Sequence, residues 1–150
     1  SVMSGPVALL HVRGGLTRAR QIRDRINTRL ARGVAYLRAE LPERFHYRAD
    51  PRAGDVVVVM DESWMLGSPR AGAVENQPPR RGRRGAHGWD NAFPSMRALF
   101  LILGPGIREG AIVRDVQNID VYPLLTELLG LRPAAGIDGR AGAIGALVRR

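Results

Sequence analysis

Cysteine is absent from this 150-residue chain, and so is lysine: all 23 basic residues are arginine. Without thiols there is no disulfide framework and no thiolate metal site, and the redox compartment stays undecided. Export without disulfides is compatible with that. No apolar run approaches the roughly 18 to 20 residues of a membrane span. The opening "SVMSGPVALLHVRGG" lacks the basic region, apolar core and cleavage site of a secretory leader. It also lacks an initial methionine and enters an expected strand almost at once, so we expect the true N-terminus to lie elsewhere.

What is present is enough for a folded domain. At 45% hydrophobic residues, 150 residues can build a core, which excludes disorder of the whole chain. The net charge of +9 would ordinarily point to a phosphate-rich partner. The exclusive use of arginine, with abundant alanine, glycine and valine, fits the codon bias of a GC-rich genome better. Arg18, Arg25, Arg32 and Arg38 are interleaved with Asp24 and Glu40 and read as a solvated surface.

Along the chain, "PVALLHV" (6–12) reads as a buried strand closed by Gly14 and Gly15. From Leu16 to Leu30, Ile22, Ile26 and Leu30 recur at spacing four among arginines, the pattern of an amphipathic helix ending before Gly33. "VAYLR" (34–38) is an expected second strand, followed by a turn-rich passage broken by Pro42 and Pro51. "DVVVVMDESWML" carries four consecutive valines, which suits a strand covered on both faces, with parallel or mixed neighbours. Residues 67–86 are rich in Gly, Pro, Ala and Arg without periodicity, a loop of unusual length within a compact domain. "RALFLILGPGI" reads as a further strand.

Asn118 is the expected N-cap of a helix over "IDVYPLLTELLG". Ile119, Tyr122, Leu125, Leu128 and Leu129 would form its apolar face, Pro123 would stand in its first turn and Gly130 would end it. Strands alternating with helices give an α/β layered class. There is no internal repeat and no heptad pattern.

Three histidines are candidates for chemistry. His11 is expected in a strand as a satisfied core residue, and His46 in a loop or short edge between Phe45 and Tyr47. His87 lies in "GAHGWDN", directly after the arginine run "PPRRGRRG". By spacing alone a lone histidine among glycines is a turn residue, since a zinc site wants about three or four protein donors. A basic loop gripping nucleic acid is the other reading of this neighbourhood. It lacks interleaved aromatics, Trp89 being the one nearby, and it lacks a nucleic-acid motif.

The order of four pieces changes that balance. "VAYLRAELPERFHY", "DVVVVMDESWML", "GAHGWDNAFPSMRALFLILGPGI" and "NIDVYPLLTELLGLRP" together resemble the C-terminal part of the nucleotide pyrophosphatase/phosphodiesterase family, within the alkaline phosphatase superfamily. The resemblance covers residues 34–133. It implies a partial alkaline-phosphatase-like fold, a mixed sheet flanked by helices, with the whole of 1–150 the C-terminal piece of a single catalytic domain.

For function, the resemblance implies hydrolysis of a phosphate ester or nucleotide at two zinc ions that clamp the attacking and leaving oxygens. A threonine or serine nucleophile would pass through a covalent phospho-enzyme. His87 matches a zinc ligand of that family, and export to the periplasm or outside the cell would follow. Gly85 and Gly88 would let the backbone pass close to the site. Asp90 is open to two roles, a hydrogen-bond acceptor behind the metal ligand that orients the loop or His87, or a turn cap. We expect His87 at the end of a strand, on the rim of an open cleft.

The sequence departs from the family at three places. Trp89 stands where the family carries Tyr or Phe, and "PPRRGRRG" has no counterpart. Nothing here matches the nucleophile segment or the Asp-His-Gly-Met ligand motif. Thr17, Thr28 and Thr126 lie in helical contexts and receive no catalytic role, so no catalytic residue is expected in this chain and the chain alone should be inert. A degenerate paralogue that keeps the scaffold without the chemistry is the remaining alternative.

Overall fold

The computed structural model describes residues 2–67 and 86–149. Residues 68–85, with Gly85 and the arginine run, lie outside the described residues. The chain divides into two compact units, Ser1–Arg97 and Ala98–Arg150.

In the 1–97 unit, strands β1 (Val2–Ser4), β2 (Val7–Leu10), β3 (Gly33–Leu37) and β4 (Val56–Met60) form a sheet in the order β1-β2-β4-β3. Helix α1 (Gly15–Asn27) connects β2 to β3. Both β2 and β3 pair antiparallel with β4, so they run parallel to each other on either side of it, a split β-α-β arrangement.

The valine run explains why β4 sits in the middle. Val56, Val58 and Met60 pack with Ala8, Ala19, Ala35 and Leu37 on the α1 side. Val57 and Val59 point the other way, into a second cluster with Leu41, Ala53, Val7, Leu9 and Phe45. The strand is covered on both faces, as its composition implied. The expected parallel or mixed neighbours are corrected: every neighbouring pair in this sheet is antiparallel. An unbroken apolar run reports burial of both faces and is blind to strand direction.

α1 begins at Gly15 behind Gly14, whose φ of +107° is easily reached only by glycine. Its last residue, Asn27, closes on the free edge of β3: its Nδ2 donates to the Ala35 carbonyl at 2.9 Å and its Oδ1 accepts the Ala35 N–H at 2.7 Å. Two main-chain groups that an edge strand would leave open are thereby satisfied. His11 is corrected from a core residue to an exposed one, just past the end of β2 at Leu10. His46 is a loop residue, exposed, in the left-handed region at φ 50°.

In the 98–150 unit, helix α2 (Val121–Leu128) packs Leu124 against Ile144 and Leu147, with Phe100, Ile102, Val113, Val116 and Leu128 around them. It starts later than Asn118, which instead opens a short 3-10 turn, Asn118–Asp120. Gly130 ends it as expected: at φ +66° it lets its own N–H reach Glu127 O and the Leu131 N–H reach Thr126 O.

The expected apolar face is also corrected. Leu124 faces the core, whereas Tyr122, Leu125 and Leu129 are exposed. Because α2 is apolar on nearly every side, spacing did not select the buried stripe. The expected strand after Arg97 is not paired into a sheet. Leu99, Leu101 and Leu103 are exposed and alternate with half-buried Phe100 and Ile102. The strand period is present, but no strand is formed among the described residues.

Leu124 is 2% exposed. Leu124→Ala should therefore cost the 98–150 unit about 2 to 5 kcal/mol, the range for emptying a leucine site in a core. Urea unfolding followed by circular dichroism would check this, and an unchanged midpoint would show that the cluster is not a core.

Candidate functional site

The loop that holds His87 is fixed from a turn 46 residues earlier. Leu41 is 1% exposed and plants the start of that turn under the sheet, against Val57 and Ala53. Pro42 leads into a 3-10 turn, Glu43–Phe45, which presents Arg44 outward with its guanidinium 5.0 Å above the Phe45 ring.

Arg44 grips the loop twice. Its Nε donates to Asp90 Oδ1 at 2.9 Å while its second nitrogen meets Asp90 Oδ2, a two-pronged guanidinium–carboxylate pair. Its main-chain carbonyl accepts from Asn91 Nδ2 at 3.3 Å. Asp90 also accepts the Ala92 N–H at 2.9 Å, closing a tight turn. On the other side of the loop, Trp89 Nε1 donates to the Trp64 carbonyl at 2.7 Å, and Ser95 donates to Glu62.

Gly88 takes φ +97°, and a Cβ there would lie 3.2 Å from Pro6 Cγ. The close approach at this glycine is to Pro6 of the same unit. Gly88 to Asn91 line an apolar cleft of about 360 Å³ with Val7, Leu9, Phe45, Tyr47, Val57 and Val59.

His87 stands immediately before these lining residues, exposed. It is in a loop and not at the end of a strand, a correction: among the described residues no strand follows β4, and its neighbours Trp89 and Asp90 spend their hydrogen bonds on Trp64 and Ala92. Asp90 caps the turn through the Ala92 N–H and also ties the loop to Arg44 through the rest of its carboxylate. Arg44 was the residue that sequence reasoning missed. It sits in the "LPER" piece of the resemblance, but nothing in a single sequence joins position 44 to position 90.

The electrostatics follow the contacts. The Arg44 hydrogen bond holds Asp90 below the ordinary carboxylate range; partial burial pushes it up, and the Ala92 N–H and the Arg44 charge lower it further. Asp90 in turn raises Arg44. A depressed carboxylate contributes stability that is complete above its unfolded value of about 3.9 and is lost as pH falls through the lower folded value. The loop should stay anchored down to about pH 4 and loosen only in stronger acid. Amide exchange of residues 88–92 across pH would check this, and release already near pH 6 would contradict it.

Zinc fits these residues only in part. His87 can serve as one donor, but among the described residues no three His, Asp or Glu side chains cluster where an ion could be held. Three or four donors are needed, so these residues alone do not make a zinc centre.

The model of one family, type I phosphodiesterase / nucleotide pyrophosphatase, matches residues 10–90, a stretch that ends on the Arg44–Asp90 clamp. The chain belongs to this family. It is 40% identical over 115 residues to venom phosphodiesterase CdcPDE of Crotalus durissus collilineatus, a match covering 77% of this chain and 13% of that one. With ectonucleotide pyrophosphatase/phosphodiesterase family member 3 of Rattus norvegicus it shares 34% identity over 114 residues, covering 76% and 12%.

Among solved structures, human ectonucleotide pyrophosphatase / phosphodiesterase 5 superposes with a TM-score of 0.76 at 24% identity, over 99% of this chain and 37% of that one. The murine protein gives 0.71 at 28% identity, over 96% and 36%. The fold is thus the partial α/β, alkaline-phosphatase-like one expected from the sequence. The chain spans about an eighth of the length of the venom relatives it matches. No helix among the described residues is long and apolar enough to cross a membrane.

Proposed function

We propose that this chain is the C-terminal part of a zinc-dependent phosphodiesterase or nucleotide pyrophosphatase, in which His87 is one zinc donor. The observation that carries the reading is an exposed imidazole beside a loop held at several points, in a family whose relatives are named phosphodiesterases and nucleotide pyrophosphatases. The other donors and the nucleophile would come from polypeptide outside this chain. The intact enzyme would hydrolyse a phosphate ester or nucleotide through a covalent phospho-enzyme, with two zinc ions as its cofactor. Two of the relatives' names, venom phosphodiesterase and ectonucleotide pyrophosphatase, favour work outside the cell.

This chain's own contribution is structural and local. The Arg44–Asp90 pair and the Trp89–Trp64 bond fix the loop, Gly88 lets it lie against Pro6, and His87 is left exposed beside it. The basic nucleic-acid module gains no support, since its arginine run lies outside the described residues.

The test compares the 150-residue chain with a longer form read from the upstream coding sequence, using bis(p-nitrophenyl) phosphate. Hydrolysis by the longer form alone is expected. Turnover by the short chain, or by neither, would refute the division of the site.

A further inference from the structure

We propose that Arg44 is a positioning residue for the site, acting on His87 through Asp90. The inference rests on the reading of His87 as a zinc donor and goes beyond it, because Arg44 itself touches neither metal nor substrate in that reading.

Three observations carry it. Arg44 holds the loop by side chain and main chain together, through Asp90 and Asn91, so the turn and the loop are tied at two points. The turn is itself rooted in the sheet, because Leu41 just before it is 1% exposed. Asp90 spends its carboxylate on Arg44 and on the Ala92 N–H, and is three residues from His87. The Asp90 side chain is only 16% exposed, so loss of Arg44 would leave a largely covered carboxylate without its cation, and the loop would open to hydrate it.

Geometry also makes the residue type specific. A planar guanidinium donates two parallel bonds to one carboxylate, whereas an ammonium offers a point charge. Lysine at 44 would keep the charge and lose the fork.

The experiment measures zinc affinity of the zinc-loaded enzyme containing this chain, beside amide exchange of residues 88–92 in the 150-residue chain. Arg44→Gln is expected to speed loop exchange and weaken zinc about 10- to 100-fold, the usual cost of losing the outer support of a metal ligand. Arg44→Lys should recover part of both. Asp90→Asn should match Arg44→Gln, and the double variant should be no worse than either single one, because both remove the same pair. Asp90→Asn also serves should Arg44→Gln fail to fold.

A loop released with zinc affinity unchanged would overturn the proposal, as would an unchanged loop in both variants. If His87→Ala leaves zinc affinity intact, the zinc reading itself falls. If His87→Ala loses zinc while Arg44→Gln keeps it, only the positioning role falls.

Discussion

Replacing Val56 with aspartate is expected to leave the 1–97 unit unfolded. Val56 is fully buried at the start of β4, opposite Leu10 on one side and Leu37 on the other, in the cluster shared with α1. An aspartate there would be a carboxylate facing only apolar side chains of that cluster. The penalty for an unpartnered buried charge exceeds about 4 kcal/mol, close to the whole stability of a typical domain, about 5 to 15 kcal/mol. Val56→Ile, which keeps apolar character and branching, should cost less than about 3 kcal/mol, the range for overpacking. Urea titration with circular dichroism would decide the matter. A cooperative transition near the parent's midpoint in the aspartate variant would show that β4 is not the strand on which the unit is built.

The second large effect falls on catalysis. In the longer enzyme, His87→Ala is expected to lower kcat/KM on bis(p-nitrophenyl) phosphate by about a thousandfold or more. That corresponds to the several kcal/mol of charge stabilisation that a metal centre supplies to phosphoryl transfer. Stability should change little, because His87 is exposed; exposed substitutions usually stay within about 0.5 kcal/mol. The pairing of a large rate loss with a small stability change is the signature of a site residue. A small rate loss, or a rate loss that tracks unfolding, would move His87 back to an ordinary loop position.

Much of the fold was legible because single signals matched single causes. Valines 56 to 59 report burial on both faces, and Ile22 and Ile26 at helical spacing report α1. Gly130 reports a helix end through a φ that only glycine adopts easily. Other features depended on information that one sequence does not carry. The direction of the neighbours of β4 is set by how the 38–55 connection returns the chain, and composition is indifferent to it. The buried stripe of α2 is set by Ile144 and Leu147, which lie far along the chain and select Leu124 over Leu125. Leu99 to Leu103 keep the period of a strand, yet pairing requires a partner, and none is described in this chain.

The same division runs through the site. His87 stands out as a candidate because "GAHGWDN" matches a motif in its proper order among three other pieces. Its support was not visible, because Arg44 and Asp90 meet only after the 3-10 turn and the loop have folded onto the same sheet face. Trp89 uses its indole N–H in the bond to Trp64 O. A tyrosine or phenylalanine offers no indole N–H for that bond.

The most direct test of the account is the zinc content of the longer enzyme and of its His87→Ala variant, measured by mass spectrometry on protein freed of loose metal. The account predicts about two zinc ions per parent chain and a clear deficit in the variant. Equal zinc in the two proteins would contradict it and leave this loop as structure alone.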